Sequence, residues 1–203
     1  MPIQFRAPLL PDEYDRLADL LAQAFMQPPT ADDLAENDRD LPPGSILHRT
    51  IAMDGNGQVI GLGEAFRYPN TKAGKFYLTV VVDRTARGAG IGSALLDQVE
   101  SFAISQGGNY FVGSVRDDDP ASLAYIHKRG YVTERHGFAS RLDLTTWDGA
   151  PHAGVLEEVR AGGIRLLSLA EHAGPEAEAR LYELMSRTMV DLPGYEAAQF
   201  MSF

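Results

Sequence analysis

The chain has 203 residues, a formal net charge of −10 and no cysteine, which excludes disulfides and thiolate metal sites. Hydrophobic residues at 44% and charged residues at 23% exclude a disordered or fibrous chain. Residues 1–45 carry −6, residues 46–150 are neutral and residues 151–203 carry −4, so there is no basic field for a nucleic-acid duplex, whereas a cationic partner is allowed.

Ile3-Gln4-Phe5-Arg6 reads as a short strand. Pro11-Asp12-Glu13 then opens a helix, with proline and acids in its first turn, and Tyr14, Leu17, Leu20, Leu21 and Phe25 form one apolar stripe at helical spacing. Pro28-Pro29 ends it, and Thr30-Ala31-Asp32-Asp33 is a capping signal for a second, acidic helix running to Asp40. A hairpin is expected next, Ile46–Met53 and Val59–Tyr68, because Asp54-Gly55-Asn56-Gly57 supplies residues that adopt the positive φ of tight turns. Phe76–Val82 is β-branched and aromatic, as a buried strand requires. A glycine-rich turn leads into a helix over Ile91–Ser105 with Leu95, Leu96, Val99 and Phe102 on one face. Tyr110–Val115 reads as a strand, Asp119-Pro120-Ala121 starts a helix that Gly130 stops, and residues 131–144 alternate like one or two strands. This order of elements predicts an α/β or α+β sheet with helices on its faces.

The opening pattern has an echo 161 residues on: Ile164-Arg165-Leu166-Leu167 precedes Gly174-Pro175-Glu176 and a second helical stripe, Leu181, Leu184, Met185 and Thr188, closed by Asp191-Leu192-Pro193-Gly194. A lone strand and helix cannot bury their apolar stripes, so residues 151–203 are expected to dock on their own domain or on a second copy of the chain.

The chemistry-bearing stretch is Val80-Val81-Val82-Asp83-Arg84-Thr85-Ala86-Arg87-Gly88-Ala89-Gly90-Ile91-Gly92-Ser93. It is a strand, a loop with alternating glycines and the start of an amphipathic helix. Glycines let successive N–H groups turn toward one point, and the helix N-terminus adds about half a positive charge there, so such a nest binds phosphate. The dinucleotide fingerprint fails at its sixth position, Ser93, and no Gly-Lys-Ser/Thr of a Walker loop follows.

Arg87-Gly88-Ala89-Gly90-Ile91-Gly92 resembles the Arg/Gln-x-x-Gly-x-Gly/Ala signature of the GNAT N-acetyltransferase family, between the fourth strand and the third helix, where that family carries it. The resemblance covers roughly residues 3–145 as an order of elements. It implies a mixed, mostly antiparallel central sheet flanked by helices, the acyl-CoA N-acyltransferase fold. It further implies acetyl-CoA or another acyl-CoA as cofactor, with its pyrophosphate on the N–H groups of Arg87, Gly88, Ala89, Gly90, Ile91, Gly92 and Ser93. The backbone of Val80 and Val82 would pair with the pantetheine arm, and the Val82 N–H would stabilise the developing oxyanion. Asp119 stands where the family's cofactor-contacting Asn is common, and Gly130-Tyr131 fits its Gly-Phe close. The family's proton-donating Tyr falls at Ile126, with Tyr125 beside it as the candidate acid.

Glu64, in the apolar segment Gly61-Leu62-Gly63-Glu64-Ala65-Phe66, is the first candidate for the base, ahead of His136, His48 and Tyr77. The acceptor expected is a small-molecule or peptide amine, drawn to the acids of the first two helices, with Asp32, Asp33 and Glu36 as the test positions. The expected organisation is an acyltransferase domain over 1–148, a connector over 149–163 and a partial second unit over 164–203, which suggests a tandem relative and leaves open a CoA-binding but catalytically weak half. No run approaches the ~18 apolar residues of a membrane span, and Met1-Pro2 opens no basic, apolar leader, so a cytoplasmic location without a membrane partner is expected.

Overall fold

The computed structural model describes residues 3–138, 140–172, 174–189 and 191. Strands β1 (Gln4–Arg6), β2 (Ile46–Met53), β3 (Val59–Arg67), β4 (Lys75–Val82) and β5 (Tyr110–Val112) form one sheet in the order β1-β2-β3-β4-β5. The first three pairings are antiparallel and β4–β5 is parallel. The sheet is therefore mixed and mostly antiparallel, as expected.

Side chains alternate across the pleat, so β2, β3 and β4 each feed two cores. On one face Ile51, Leu62 and Val81 pack with Leu17, Leu20 and Leu21 of α1 (Tyr14–Leu21) and Leu34 of α2 (Ala31–Arg39). On the other, Ala52 and Ile60 pack with Ile91 and Leu95 of α3 (Ile91–Ser105), joined by Val80 and Val82. Two glycines of β3 let α3 approach. A Cβ at Gly61 would lie 2.9 Å from Leu95 Cδ1, and one at Gly63 would lie 3.0 Å from Val99 Cγ1.

The predicted second helix, hairpin and third helix form where expected. Thr30 and Asp33 make the reciprocal capping box at α2, with Thr30 N–H donating to Asp33 at 2.8 Å and Asp33 N–H to Thr30 Oγ1 at 3.1 Å. Helix α1 is shorter than its stripe: it starts at Tyr14, because the Glu13 carboxylate draws the preceding turn to itself by accepting from Leu9 N–H and the Arg6 guanidinium.

Helix α4 (Pro120–Lys128) closes the first compact unit, which ends at Gly130. From Tyr131 a second unit holds α5 (Val155–Ala161), which falls in the expected connector, and α6 (Pro175–Met189), the predicted second stripe. The strands expected within 131–144 and 164–167 are absent among the described residues. Alternation licenses a strand only where a neighbouring edge takes its N–H and C=O groups, and among the described residues neither segment joins a strand ladder; Val132 is 85% and Phe138 93% exposed. The expected close at Asp191–Gly194 lies outside the described residues beyond Asp191. No helix among them is long and apolar enough to cross a membrane.

Candidate functional site

Strands β4 and β5 pair only over Lys75–Tyr77 and Tyr110–Val112. Beyond Tyr77, β4 runs on for five residues with β3 on one side and no described strand on the other. At Gly113 the chains still touch, since a Cβ there would lie 3.0 Å from Leu78 O. Past it no described strand pairs with β4 on this side, which leaves a gap in the ladder. Asp83 N–H donates to Ile60 O at 2.9 Å, toward β3. Because N–H and C=O direction alternates along a strand, the N–H and C=O of Val82 and Val80 face the gap. The Val82 carbonyl accepts from Arg87 Nε at 3.1 Å, consistent with that direction.

The open edge leads into the glycine loop. Asp83 accepts from Thr85 N–H and Oγ, winding a short 3-10 turn over Arg84–Ala86. Gly88 and Gly90 have φ of +84° and +80°, a region costly to side chains, and a Cβ on either would meet nothing within 4 Å. Gly90 is the N-cap of α3, so no side chain caps the helix. Among the described residues none of the Arg87–Ser93 N–H groups donates to a protein acceptor, and the first helical bond is Ala94 N–H to Gly90 O. A 15-residue helix thus presents its positive end, with orphan donors, to the space over two side-chain-free residues. The loop has the geometry to hold a diphosphate.

Asp119 caps α4, accepting from Ser122 N–H at 3.0 Å and Ser122 Oγ at 2.8 Å, and its carboxylate also meets the Arg87 guanidinium at 3.3 Å. The Ser122 donors, then Arg87, hold its carboxyl below the ordinary range. Asp119 therefore orients the loop arginine from the neighbouring helix. Tyr125 Oη donates to Ser93 Oγ at 3.2 Å, in the first turn of α3.

On the opposite face of the sheet, under α2, lies a cleft of about 370 Å³. Glu64 lines it, directly across the ladder from Arg49. Arg49 Nε donates to Glu64 Oε2 at 2.7 Å while its Nη1 donates to Asp38, which also accepts from the Tyr14 hydroxyl at 2.8 Å. Burial works against the Arg49 charge, but the two carboxylates more than offset it, and the guanidinium is held above its ordinary value.

A model of the acetyltransferase (GNAT) family matches residues 14–131. The chain belongs to that family. No curated protein matches the sequence. In fold, this GNAT chain is similar to a transcriptional regulator from Bacillus halodurans at 14% identity and TM-score 0.55, over 70% of this chain and 100% of the other. It is also similar to the aminoglycoside 6'-N-acetyltransferase AAC(6')-Ih from Acinetobacter baumannii, at 17% identity and TM-score 0.53 over 70% and 99% of the two chains. A third likeness is to a phosphinothricin acetyltransferase from Sinorhizobium meliloti, solved with acetyl-CoA, at 21% identity and TM-score 0.53 over 64% and 75%.

The expected cofactor residues, Val80, Val82, Arg87 to Ser93 and Asp119, converge on the gap and the loop. The two catalytic candidates do not converge, since Glu64 faces the α1–α2 side and Tyr125 is engaged at the start of α3 on the other. His48 also points to the α3 face, stacked on Phe102 with centroids 4.1 Å apart. Tyr77 sits beneath the Lys75 ammonium, 5.2 Å from its ring, and His136 is exposed in the second unit.

Of the acids, those lining the cleft are Asp38 and Asp40 rather than Asp32, Asp33 or Glu36, and Asp33 is held in the capping box. A helix turns ~100° per residue, so the last turn of α2 presents different carboxylates from the first. The sequence did not single out Arg49, since the hairpin sets position 49 beside 64 only once the bulge at Ala52/Met53 is counted.

Proposed function

We propose that the chain is an acyl-CoA-dependent N-acyltransferase, acting on a primary amine of a small molecule or peptide. The observation that carries this reading is the end of β4–β5 pairing at Tyr77, which leaves Leu78–Val82 without a described strand on that side, beside the uncapped N-terminus of α3. The residues present fit acetyl-CoA: the loop has orphan donors and open space for a diphosphate, and the gap is faced by the Val80 N–H and C=O and the Val82 N–H, strand groups for an extended amide arm, while the Val82 carbonyl is held by Arg87. Bound there, acetyl-CoA supplies an activated thioester carbonyl open to direct attack by an amine.

The chain's own residues divide the remaining work. The N–H groups of Arg87 to Ser93 hold the diphosphate, with Asp119 fixing the Arg87 side chain. The gap-facing groups of Val80 and Val82 align the arm, and the Val82 N–H donates to the oxygen on which charge develops. Arg49 grips Glu64 Oε2, leaving Oε1 to take the ammonium proton of the acceptor. Tyr125 brings a phenol to Ser93 at the end of the loop, and Ile126 beside it cannot donate a proton.

A second reading, a chain that binds acyl-CoA but turns over poorly, is favoured by Ile126 and by the engagement of Tyr125 with Ser93. In it, residues 1–148 are the binding half of a tandem protein, 149–163 a connector and 164–203 the remnant of a second copy. Free-thiol release from acetyl-CoA with a panel of primary amines separates the two. Repeated turnover with any amine supports the first reading, binding without thiol release supports the second, and absence of binding contradicts both.

A further inference from the structure

Three carboxylates line the cleft under α2, those of Asp38, Asp40 and Glu64, against a single cation among its described lining residues, Arg49. The Arg49 side chain is only 8% exposed, and both of its contacts are carboxylates of the cleft. An acidic group on an incoming molecule would have to displace one of them and then sit beside all three acids. Apart from the neutral polar side chains of Gln27, Asn37 and Thr79, the rest of the wall is apolar and aromatic. Phe66 and Tyr68 meet edge to face with centroids 4.3 Å apart, and Phe25 and Tyr68 are exposed although they are large rings. Ring faces attract a cation and cover an apolar body.

Resting on the acyltransferase reading, we infer that the acceptor is an amine with an apolar or aromatic body and no acidic group, the arylalkylamine class, and that amino acids and sugar phosphates are selected against. The carboxylates near Arg49 hold the ammonium end, the rings hold the body, and Arg49 holds Asp38 and Glu64 in place while offering no anion slot. Repulsion of an added carboxylate at cleft distances, at the effective dielectric of a protein surface, corresponds to a preference of about 10- to 100-fold.

The test is calorimetric titration of tyramine against tyrosine, and phenethylamine against phenylalanine, into the cofactor-free chain and again with acetyl-CoA present. The expected result is that each decarboxylated amine binds at least about 10-fold tighter than its amino acid. In the pair Asp38→Asn with Glu64→Gln, which releases the guanidinium, that preference narrows or inverts. Asp40→Asn, on an exposed rim acid, weakens tyramine about threefold with the melting temperature unchanged. Equal or tighter binding of the amino acids overturns the inference, as does a chain that binds acetyl-CoA but none of the four compounds. Failure of acetyl-CoA to bind while the amine preference persists overturns the acyltransferase reading instead.

Discussion

The Arg16 guanidinium donates to the Asp83 carboxylate at 2.7 Å, tying α1 to the residue where β4 becomes the glycine loop. Arg16 Nε also donates to Val59 O at 2.7 Å, and Gln23 bridges Asp83 and the Arg84 N–H. The helix whose Leu21 lines the cleft under α2 and the loop proposed to hold the cofactor therefore share one hydrogen-bonded joint.

Substituting Asp83→Asn should cost about 1–2 kcal/mol, because a charged acceptor of several bonds is lost at a partly exposed site. Arg16, then Thr85, holds the Asp83 carboxyl far below the ordinary range. A depressed carboxyl contributes its stability above the unfolded-state value of about 4 and loses it progressively as pH falls below that. Urea midpoints of wild type and Asp83→Asn should thus differ at pH 7 and draw together below about pH 4. A constant difference down to pH 2 would show that Asp83 does not act through its charge.

His48 gives a second pH response. Burial lowers its pKa, so the folded state favours the neutral ring stacked on Phe102. Its contribution is full above the unfolded value of about 6.5 and is lost as pH falls through the lower folded value. A His48→Gln chain should lack the part of the stability decline that wild type shows below about pH 6.5, read by thermal melts at stepped pH.

The Arg49 triad makes a prediction by restoration. Arg49→Met should destabilise by about 3 kcal/mol, since it removes the one cation that both Asp38 and Glu64 contact in a half-buried site. The triple change Arg49→Met, Asp38→Asn, Glu64→Gln should recover most of that loss. Denaturant titration of the series decides it, and an unchanged triple variant would mean that Arg49 acts by packing.

Close approach of α3 is tested by Gly63→Val. Its Cβ alone would come within 3.0 Å of Val99, and the added methyls overfill the interface, so a loss of about 2 kcal/mol is expected by urea denaturation. A neutral result would mean that α3 is not seated on β3 as described.

What was readable in the sequence follows from which signals are local. The capping box at Thr30 and Asp33, the hairpin turn and the glycine loop before Ile91 are encoded within a few residues, and each forms where its pattern falls. The Arg49–Glu64 pair was hidden by one backbone irregularity. Met53 faces Val59 whereas Ala52 faces Gly61, so a bulge shifts the ladder by one residue. A count from the turn alone would place Arg49 against Gly63 and send its neighbours to the wrong face. The strands expected in 131–144 and 164–167 failed for a different reason: alternation says which residues share a face, not whether an edge is there to receive them.

The most direct test of the account is calorimetric titration of acetyl-CoA into wild type and Ser93→Glu. An acid in the first turn of α3 suits the helix dipole, so the variant should melt at the same or a higher temperature. It would place a negative charge where the diphosphate is held, and its affinity should fall at least about 100-fold below a one-to-one wild-type complex. Binding of equal strength by the two chains, or none by wild type, would contradict the assignment of the Arg87–Ser93 loop as the acyl-CoA site.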